Sequence, residues 1–390
     1  MTSAGLVTVD ARGGPTLTPL ATLTAAPQEL QRAAAVGALR RRPQSRSELT
    51  EELGLSASVV SRLIGRLLQE HMLCEMGVEA VGLGRPRTTL GVAPTAGRLA
   101  SVVLQRHQLD AQMVDGSGRL LRQASRTVTA PLAPPVVLDF IAEVIDATAS
   151  TAPLWGIGVS APGIVDSDGS VRAAPDLGWT TAVPLRALLQ DRFGPRVTVD
   201  NDVNLMVLAE ATSGWAVGQR DVALIYLGQR GIGLGAISQG SLLTGATGAS
   251  GEIGLLPLDL KNDTGTTLEH EFSLEAIART LRESGLEASD DPMRVLASSA
   301  DQDIVGDYLD DLVSSLTLAI GVAALILDPQ LVVISGALRT VCRGREASME
   351  RALAGWLPRT PSIKLSELGN QEIHWAAQMR CWDQIVSTGL

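Results

Sequence analysis

Apolar residues between Ser56 and Met72 recur at the spacing of one helix face. Positions i, i+3, i+4, i+7 and i+8 form a single stripe, which predicts an amphipathic helix with that stripe buried. Ser56 precedes the stripe and is a typical N-cap residue. The opposite face carries short polar groups and arginines and is predicted to be exposed. The stripe consists of Val60, Leu63, Ile64, Leu67 and Leu68, and the opposite face of Ser58, Ser61, Arg62, Gly65, Arg66 and Gln69.

Two further helices are predicted before this one. The first spans about 28–41 and stops before Pro43, and the second opens at Ser45. Ser45 and Glu48 have the spacing of a capping box, in which each side chain accepts the backbone N–H of the other residue. Gly54 supplies the turn that ends the second helix. Helix, short glycine-containing turn and helix are typical of helix-turn-helix modules, whose second helix enters the major groove of DNA.

A two-stranded wing is predicted after the third helix. Arg85 and Arg87 flank Pro86 at its tip, where a stiff turn suits phosphates or a narrow minor groove. A helical module with a hairpin that serves only for protein docking is the alternative. The predicted contacts to double-stranded operator DNA are Ser58, Ser61, Arg62, Arg66, Arg85 and Arg87.

From about Pro94 the pattern changes to strands that alternate with helices, which is typical of an α/β fold. We expect residues 1–27 to be a disordered tail, residues 28–92 to be the winged helix-turn-helix domain, and residues 93–390 to be the body. The body divides into two similar lobes, roughly 93–205 and 206–390, with a cleft between them. Strands are predicted at 99–104, 109–114, 120–128, 155–160, 197–199, 222–227, 231–238 and 331–335, and helices at 134–149, 203–214 and 303–327.

Charge is distributed unevenly along the chain. The net charge is −10, yet residues 1–92 hold 10 basic and 8 acidic side chains, against 22 and 34 in the remainder. A slightly basic module on an acidic body favours DNA contact at the N-terminal end. The three cysteines, Cys74, Cys342 and Cys381, are far apart in the sequence. They predict neither a disulfide framework nor a zinc cluster and fit a cytoplasmic protein.

Neither a signal peptide nor a membrane span is predicted. The N-terminal residues lack a basic start followed by an apolar run. The longest apolar stretch without charge, 312–327, is shorter than the roughly 20 residues that a membrane span needs.

Four segments of the body resemble a known family. They are GIGVSAPGIVD at 156–166, APDLGW at 174–179, DNDVN at 200–204 and GASGEIG at 248–254. Together they resemble the ROK family (repressors, open reading frames and sugar kinases), in its transcription-factor form with an N-terminal winged helix. The resemblance covers nearly the whole chain from Gln28 onward. It implies two actin-like, ribonuclease-H-like lobes, with a sugar and a nucleotide bound in the cleft.

The resemblance places the family's catalytic Asp at Asp202 and a sugar-binding residue at Asn201. In phosphoryl transfer such a carboxylate accepts the proton of the attacking hydroxyl. Both residues follow a predicted strand, where ligand contacts concentrate in α/β folds. The alternative is a helix cap, in which one of the two side chains accepts from the N–H groups of the helix predicted at 203–214. A cap and a ligand contact are compatible.

The glycine turns that a kinase needs are missing or reduced. The family's Asp-X-Gly-Gly-Thr turn falls on Val103–His107, which has neither a carboxylate nor a glycine. The Gly-Thr-Gly turn falls on Gln229–Gly231, and a third glycine run is reduced to Ser335–Ala337. The family's zinc-binding His falls on Leu255, and no cysteine follows in 256–268, so we expect no metal site. We therefore expect no cofactor, and no catalytic role for the retained Asp202.

The family's sugar-binding carboxylates are retained in part. Glu252 and Glu269 match family glutamates, and Asp176 stands where the family more often has Asn. Each carboxylate oxygen accepts a directed hydrogen bond from a sugar hydroxyl. Together with Asn201 and Asp202 they form the expected ligand-binding set. Inherited scaffold residues without a present ligand are the alternative.

Three substitutions change what this site is expected to bind. Leu255 in place of the His makes one wall apolar, which predicts a less hydroxylated or modified sugar, or weaker binding. Arg106 and Arg230 lie in the former phosphate turns. They are expected to pair with nearby carboxylates and lock the lobes, or alternatively to receive a phosphorylated ligand.

The sequence thus predicts a DNA-binding transcriptional regulator, a repressor in the first instance, whose inactive kinase-like body responds to a sugar or sugar derivative. Symmetric half-sites imply a homodimer or a dimer of dimers. A ligand-independent regulator that uses the body only for oligomerisation is the first alternative. An active sugar kinase is the second.

Overall fold

The computed structural model describes residues 8–9, 15–16, 23, 27–79, 87–194, 196–228, 231–257, 267–287, 291–299 and 303–388. Apart from the first 15 residues, the chain forms two compact units. The first comprises Thr16–Asp202 and Ile373–Leu390, and the second comprises Val203–Glu372. Two short strands, β1 (Thr8–Val9) and β2 (Pro15–Thr16), occur near the N-terminus. Most of the tail predicted at 1–27 lies outside the described residues.

The N-terminal module has the three expected helices and a three-stranded sheet. Both halves of the predicted capping box are present: Ser45 N–H donates to Glu48 Oε2 over 2.8 Å, and Glu48 N–H donates to Ser45 Oγ over 3.4 Å. Gly54 ends the second helix in the left-handed conformation, with φ 61°. The elements are α1 (Gln28–Arg41), β3 (Gln44–Ser45), α2 (Arg46–Leu53), α3 (Ala57–Gln69), β4 (Leu73–Glu79) and β5 (Arg87–Val92), with strand order β3-β5-β4.

The core of this module continues into the rest of the first unit. Buried residues of α1, α2 and α3 form one cluster with Leu99, Trp155 and Trp382, which lie far along the sequence. Since burial of apolar surface is the main stabilising term in folding, the module and the neighbouring sheet stabilise each other.

The sheet of the first unit has the strand order β12-β9-β6-β7-β8. Strands β6, β7 and β8 pair antiparallel, and β9 and β12 extend the sheet in parallel from β6. The strands are β6 (Arg98–Leu104), β7 (Gln108–Asp115), β8 (Leu120–Thr127), β9 (Leu154–Ala161) and β12 (Val197–Asn201). The same unit contains α4 (Pro134–Asp146), α5 (Leu185–Phe193) and the short strands β10 (Ile164–Val165) and β11 (Val171–Arg172).

The sheet of the second unit repeats this topology, with the order β15-β14-β13-β16-β17. Again three strands form an antiparallel meander and two extend it in parallel. The predicted pair of similar actin-like α/β lobes is therefore confirmed. The strands are β13 (Val222–Leu227), β14 (Ile232–Ser238), β15 (Ser241–Leu242), β16 (Leu331–Gly336) and β17 (Ser362–Leu365). The helices are α6 (Asp202–Ser213), α7 (Leu268–Phe272), α8 (Leu274–Glu283), α9 (Pro292–Ser298), α10 (Asp303–Leu327), α11 (Leu338–Cys342) and α12 (Glu346–Ala354).

Helix α10 is the one helix within the described ranges that is long and apolar enough to cross a membrane, judged by length and composition alone. The core helix of a soluble protein meets the same criterion. Its predicted inner face, including Val305, Leu312 and Ile320, lies in the core of the second unit. We therefore interpret α10 as a core helix.

The C-terminal helix, α13 (Asn370–Thr388), begins at the end of the second unit, but from Ile373 onward it belongs to the first. The lobe boundaries predicted from the sequence place it in the second lobe instead. The difference has a packing reason: Trp382 is fully buried and its ring meets that of Trp155 at a centroid distance of 5.0 Å. Trp382 is also part of the cluster that includes α1.

Candidate functional site

The candidate DNA-reading surface is the outer face of α3. Its apolar stripe is buried as predicted at Val60, Leu63, Ile64 and Leu67, and Leu68 is half-buried. Ser58, Ser61 and Arg62 are exposed on the opposite face. Ser56 caps the helix, since its Oγ accepts the Val59 N–H over 3.4 Å. The helix therefore presents side chains with the hydrogen-bonding capacity that a groove contact needs.

Arg66 is also exposed but is not a free arginine. Its Nη1 donates to Gln28 Oε1 over 2.7 Å, which ties the α3 side chain to the first residue of α1. A base contact by Arg66 would first have to break this exposed hydrogen bond. Arg85, in the predicted wing tip, lies outside the described residues, and Arg87 opens β5.

Asn201 and Asp202 lie where β12 ends and α6 begins, and both are half-buried. Asn201 donates from Nδ2 to the Gly163 carbonyl over 2.8 Å, and its backbone N–H donates to Asp200 Oδ1 over 2.9 Å. Asp202 lies in the first turn of α6, where the helix dipole favours a negative charge. The start of a helix and the carboxyl end of a strand, where a ligand contact is expected, therefore coincide here.

Asp176 lies on the loop next to this strand end. It is half-buried in a short 3₁₀ turn, Pro175–Leu177. Gly163, which accepts from Asn201, packs against Ala173 and Ala174 just before this turn. A side chain at Gly163 would meet the Ala174 Cα at 2.9 Å, so the two segments approach closely only because residue 163 is glycine.

Glu252 and Glu269 belong to the second unit and are half-buried. A methyl group at Gly254 would lie 2.9 Å from Glu269 Oε2, and one at Gly231 would lie 3.7 Å from the same carboxylate. The Gly-Glu-Ile-Gly segment and the remnant of the second phosphate turn therefore both approach Glu269. Leu255, at the family's His position, is 63% exposed.

The turn between β6 and β7, on which the family's first phosphate turn falls, is a tight hairpin. Gln105 and Gln108 exchange backbone hydrogen bonds of 2.9 and 3.4 Å, and Arg106 is half-buried between them. This turn has no glycine, the residue that lets backbone approach a phosphate closely. Residues 229 and 230 of the second turn lie outside the described ranges, Arg230 included. No group of three or more His, Cys, Asp or Glu suited to a metal occurs in the described part of the chain.

Sequence reasoning missed the buried polar groups of α13. His374 and Gln378 contact Ser101, Arg380 contacts Asp200, and Asp383 lies 3.8 Å from Arg380 on the same helix. No element is predicted from the sequence after residue 335, and each of these residues is ordinary when read alone. What is unusual is that so many of these polar residues lie on one C-terminal helix.

Comparisons with known proteins place the body in a family. The ROK family profile matches residues 100–375, which include nearly all of both sheets and part of α13. The chain belongs to the ROK family. A solved ROK family transcriptional regulator, described as a homolog of the E. coli Mlc protein, has a TM-score of 0.76 at 20% identity, and the match covers 93% of this chain and 98% of that one. At that identity the likeness shows the shared fold.

ROK relatives of this chain include repressors and kinases. The xylose repressor of Bacillus subtilis (strain 168) is 26% identical over 226 residues, 57% of this chain and 58% of the relative. The glucokinase of Thermotoga maritima is 32% identical over 177 residues, 44% of this chain and 56% of the relative. The chain thus spans somewhat more than half the length of these curated relatives.

Proposed function

We propose that this ROK chain is a cytoplasmic DNA-binding transcriptional repressor whose kinase-like body responds to a sugar. The observation that carries the proposal is the exposed polar face of α3, on a capped helix-turn-helix that shares its core with a ROK lobe. The named function of the xylose repressor supports the same assignment.

We assign the DNA contacts to residues 28–92. Ser58, Ser61 and Arg62 are the proposed base-edge contacts of α3, because hydroxyl and guanidinium groups donate to base acceptors in the major groove. Arg66, Arg85 and Arg87 are the proposed phosphate contacts. Two such modules in a homodimer, or in a dimer of dimers, would read symmetric half-sites.

We assign the sugar contacts to the residues that match the family's ligand set, which are Asn201, Asp202, Asp176, Glu252 and Glu269. Carboxylates in a ligand site repel one another unless donors satisfy them, and a neutral polyol supplies such donors without adding charge. The exposed Leu255 favours a sugar that carries fewer hydroxyl groups on the edge that faces it. Xylose is the sugar in the name of one relative, so it is the first probe.

We further propose that the chain does not transfer phosphate. Phosphoryl transfer depends on backbone N–H groups and a metal that cradle the nucleotide. The segment Val103–His107 has no glycine, and Val103 stands at the family's metal-organising position in place of a carboxylate. Asp202 alone could accept the proton of a sugar hydroxyl, but that hydroxyl would have no bound phosphoryl donor to attack.

The proposal is tested by selecting DNA from a random duplex library with the full-length protein, followed by gel shifts at several salt concentrations. Enrichment of a two-fold symmetric sequence is expected, with affinity that falls steeply as salt rises. Arg192→Ala, at an exposed ion pair outside the module, is the matched control for Arg62→Ala. If no sequence is enriched, the DNA-binding assignment is wrong.

The sugar assignment is tested by calorimetry with D-xylose on wild type and Asp202→Ala. Binding by the wild type and its loss in the variant are expected. Equal affinity of the two proteins would place the site elsewhere. No binding by xylose or by a broad sugar panel would favour a ligand-independent regulator.

A further inference from the structure

Helix α13 concentrates buried polar side chains that the proposed DNA and sugar contacts do not use. His374 and Gln378 are 2% and 3% exposed, and Trp382 is fully buried. Burial of such groups is costly unless hydrogen bonds compensate for lost water. Their partners therefore define what this helix holds in place.

The first part of α13 is seated on the central strands of the first sheet. Ser101 Oγ on β6 lies 3.0 Å from both His374 Nδ1 and Gln378 Nε2. On β9, a methyl group at Gly158 would lie 2.1 Å from the Ala377 carbonyl oxygen, and one at Gly156 would lie 2.5 Å from Cys381 Sγ. The two glycines lie on the same face of β9, because side chains two apart on a strand share a face. They allow α13 to approach the sheet without intervening side chains.

The middle of α13 holds the strand end that precedes the proposed sugar contacts. Arg380 Nε donates to Asp200 Oδ2 over 2.9 Å. The other oxygen of the same carboxylate accepts the backbone N–H of Asn201 over 2.9 Å. Both partners are shielded, with side-chain exposures of 21% and 12%. Asp200 thereby links α13 directly to Asn201.

Two residues further along α13, Trp382 contacts the DNA-reading module. Trp382 Nε1 donates to the Ala33 carbonyl of α1 over 3.2 Å. The Arg40 guanidinium at the end of α1 lies over the rings of Trp155 and Trp382, at 5.7 and 5.6 Å from their centroids. Its Nη1 also donates to the Gly116 carbonyl over 3.2 Å. The contact with Asp200 and the contact with α1 thus come from neighbouring positions, 380 and 382, of one helix.

We propose that α13 is the coupling element between the sugar-binding strand end and the DNA-reading module. Arg380 is a positioning residue for Asn201, and Trp382 positions α1. A sugar that rearranges Asn201 changes the Asp200–Arg380 pair, and α13 passes this change to α1. This inference rests on the proposed function for its biological meaning, although the coupling itself is a property of the fold. Coupling is reciprocal, so a change at either end is felt at the other.

Hydrogen exchange of the full-length protein, read by mass spectrometry on peptides of α1 and β12, tests the coupling without DNA or sugar. Asp200→Asn keeps the side-chain shape but removes the charge that pairs with Arg380. We expect faster exchange in α1 as well as in β12, by about 5-fold or more, the lower end of common coupling factors. Asp139→Asn, at an exposed ion pair of the same unit, is the control and should change neither peptide.

Two further variants distinguish coupling from general loosening. Trp382→Phe removes the bond to Ala33 and leaves a smaller ring against Trp155 and Arg40. It should increase exchange at 197–201 as well as in α1. Arg380→Lys keeps a cation beside Asp200 and should retain protection of α1, whereas Arg380→Met should lose it. Trp356→Phe, at a 46% exposed tryptophan of the second unit, is a control for the change from tryptophan to phenylalanine alone and should change neither peptide.

The proposal is overturned if Asp200→Asn loosens β12 while α1 exchanges as in the wild type, or if Trp382→Phe loosens α1 alone. Should Asp200→Asn not fold, the Trp382→Phe result decides. A failure of the proposed function is separate, because it would show as no DNA selection while these exchange rates still responded.

Discussion

Two buried groups on α13 make opposite contributions to the pH dependence of stability. Burial lowers the pKa of His374 from 6.5 to about 4, although nearby Asp110 opposes the shift. Burial raises the pKa of Asp383 from 3.8 to about 7, against the opposing charges of Arg380 and Arg41. The histidine is thus held neutral and the carboxyl group is held protonated in mildly acidic solution.

The sign of each contribution follows from proton counts in the folded and unfolded states. For His374, only the unfolded state holds the proton between about pH 4 and 6.5, so stability rises with pH and is lost as pH falls. For Asp383, only the folded state holds it between about pH 3.8 and 7, so its stabilisation is full at low pH and is lost as pH rises. At about 1.36 kcal/mol per pKa unit, these are terms of roughly 3 and 4 kcal/mol. Between about pH 4 and 6.5 the two groups change the free energy of unfolding with pH by equal and opposite amounts, so their contributions cancel.

Replacing one of the two groups should reveal the pH dependence of stability that the other group contributes. For Asp383→Asn, the free energy of unfolding minus that of the wild type should rise by about 1.4 kcal/mol per pH unit. For His374→Gln, the same difference should fall by about 1.4 kcal/mol per pH unit. Guanidinium unfolding followed by tryptophan fluorescence at half-unit steps from pH 4.5 to 7 measures the differences. Up to about pH 6.5, the double variant should show the same pH dependence of the unfolding free energy as the wild type. Flat difference curves, within about 0.3 kcal/mol per unit, would refute the argument that burial shifts these two groups.

Three other outcomes are expected from the structure. Arg62→Ala should relax sequence preference at one base position by about 1–3 kcal/mol in gel shifts, while Arg192→Ala changes nothing. Gly158→Ala should destabilise the protein by about 1–3 kcal/mol or more, because its methyl group would meet the Ala377 carbonyl at 2.1 Å; Gly65→Ala, which meets nothing within 4 Å, is the control in denaturant unfolding. A coupled assay with ATP, magnesium and D-glucose or D-xylose should stay at background, and turnover abolished by Asp202→Asn would contradict the proposed loss of phosphoryl transfer.

Elements with strong local signals were predictable from the sequence. The helix periods at 28–41 and 303–327 match α1 and α10 at both ends. The capping box at Ser45 and the glycine at position 54 mark the boundaries of α2, since both act through neighbouring backbone groups. The helix predicted at 134–149 instead ends at Asp146, where no glycine or proline marks the stop.

The unpredicted parts depend on partners that are remote in the sequence. Ser101 and His374 are 273 positions apart, and Trp382 and Ala33 are 349 apart. No periodicity links residues at such distances. A helix such as α13, which is covered on more than one face, also lacks the clear division into an apolar and a polar side that makes a surface helix recognisable. The candidate sugar residues, by contrast, were found through short motifs that carry their own spacing.

The Gly156-Ile-Gly158 segment is both a sequence motif and a packing contact. In the sequence it is part of the ROK resemblance. In the structure α13 packs directly against its two glycines, since a methyl group at either would overlap that helix. A constraint of this kind is imposed by a helix that packs against the strand from the far C-terminal end of the chain. The motif therefore specifies a helix-to-sheet approach, and that approach is what brings Arg380 within reach of Asp200 and Trp382 within reach of Ala33.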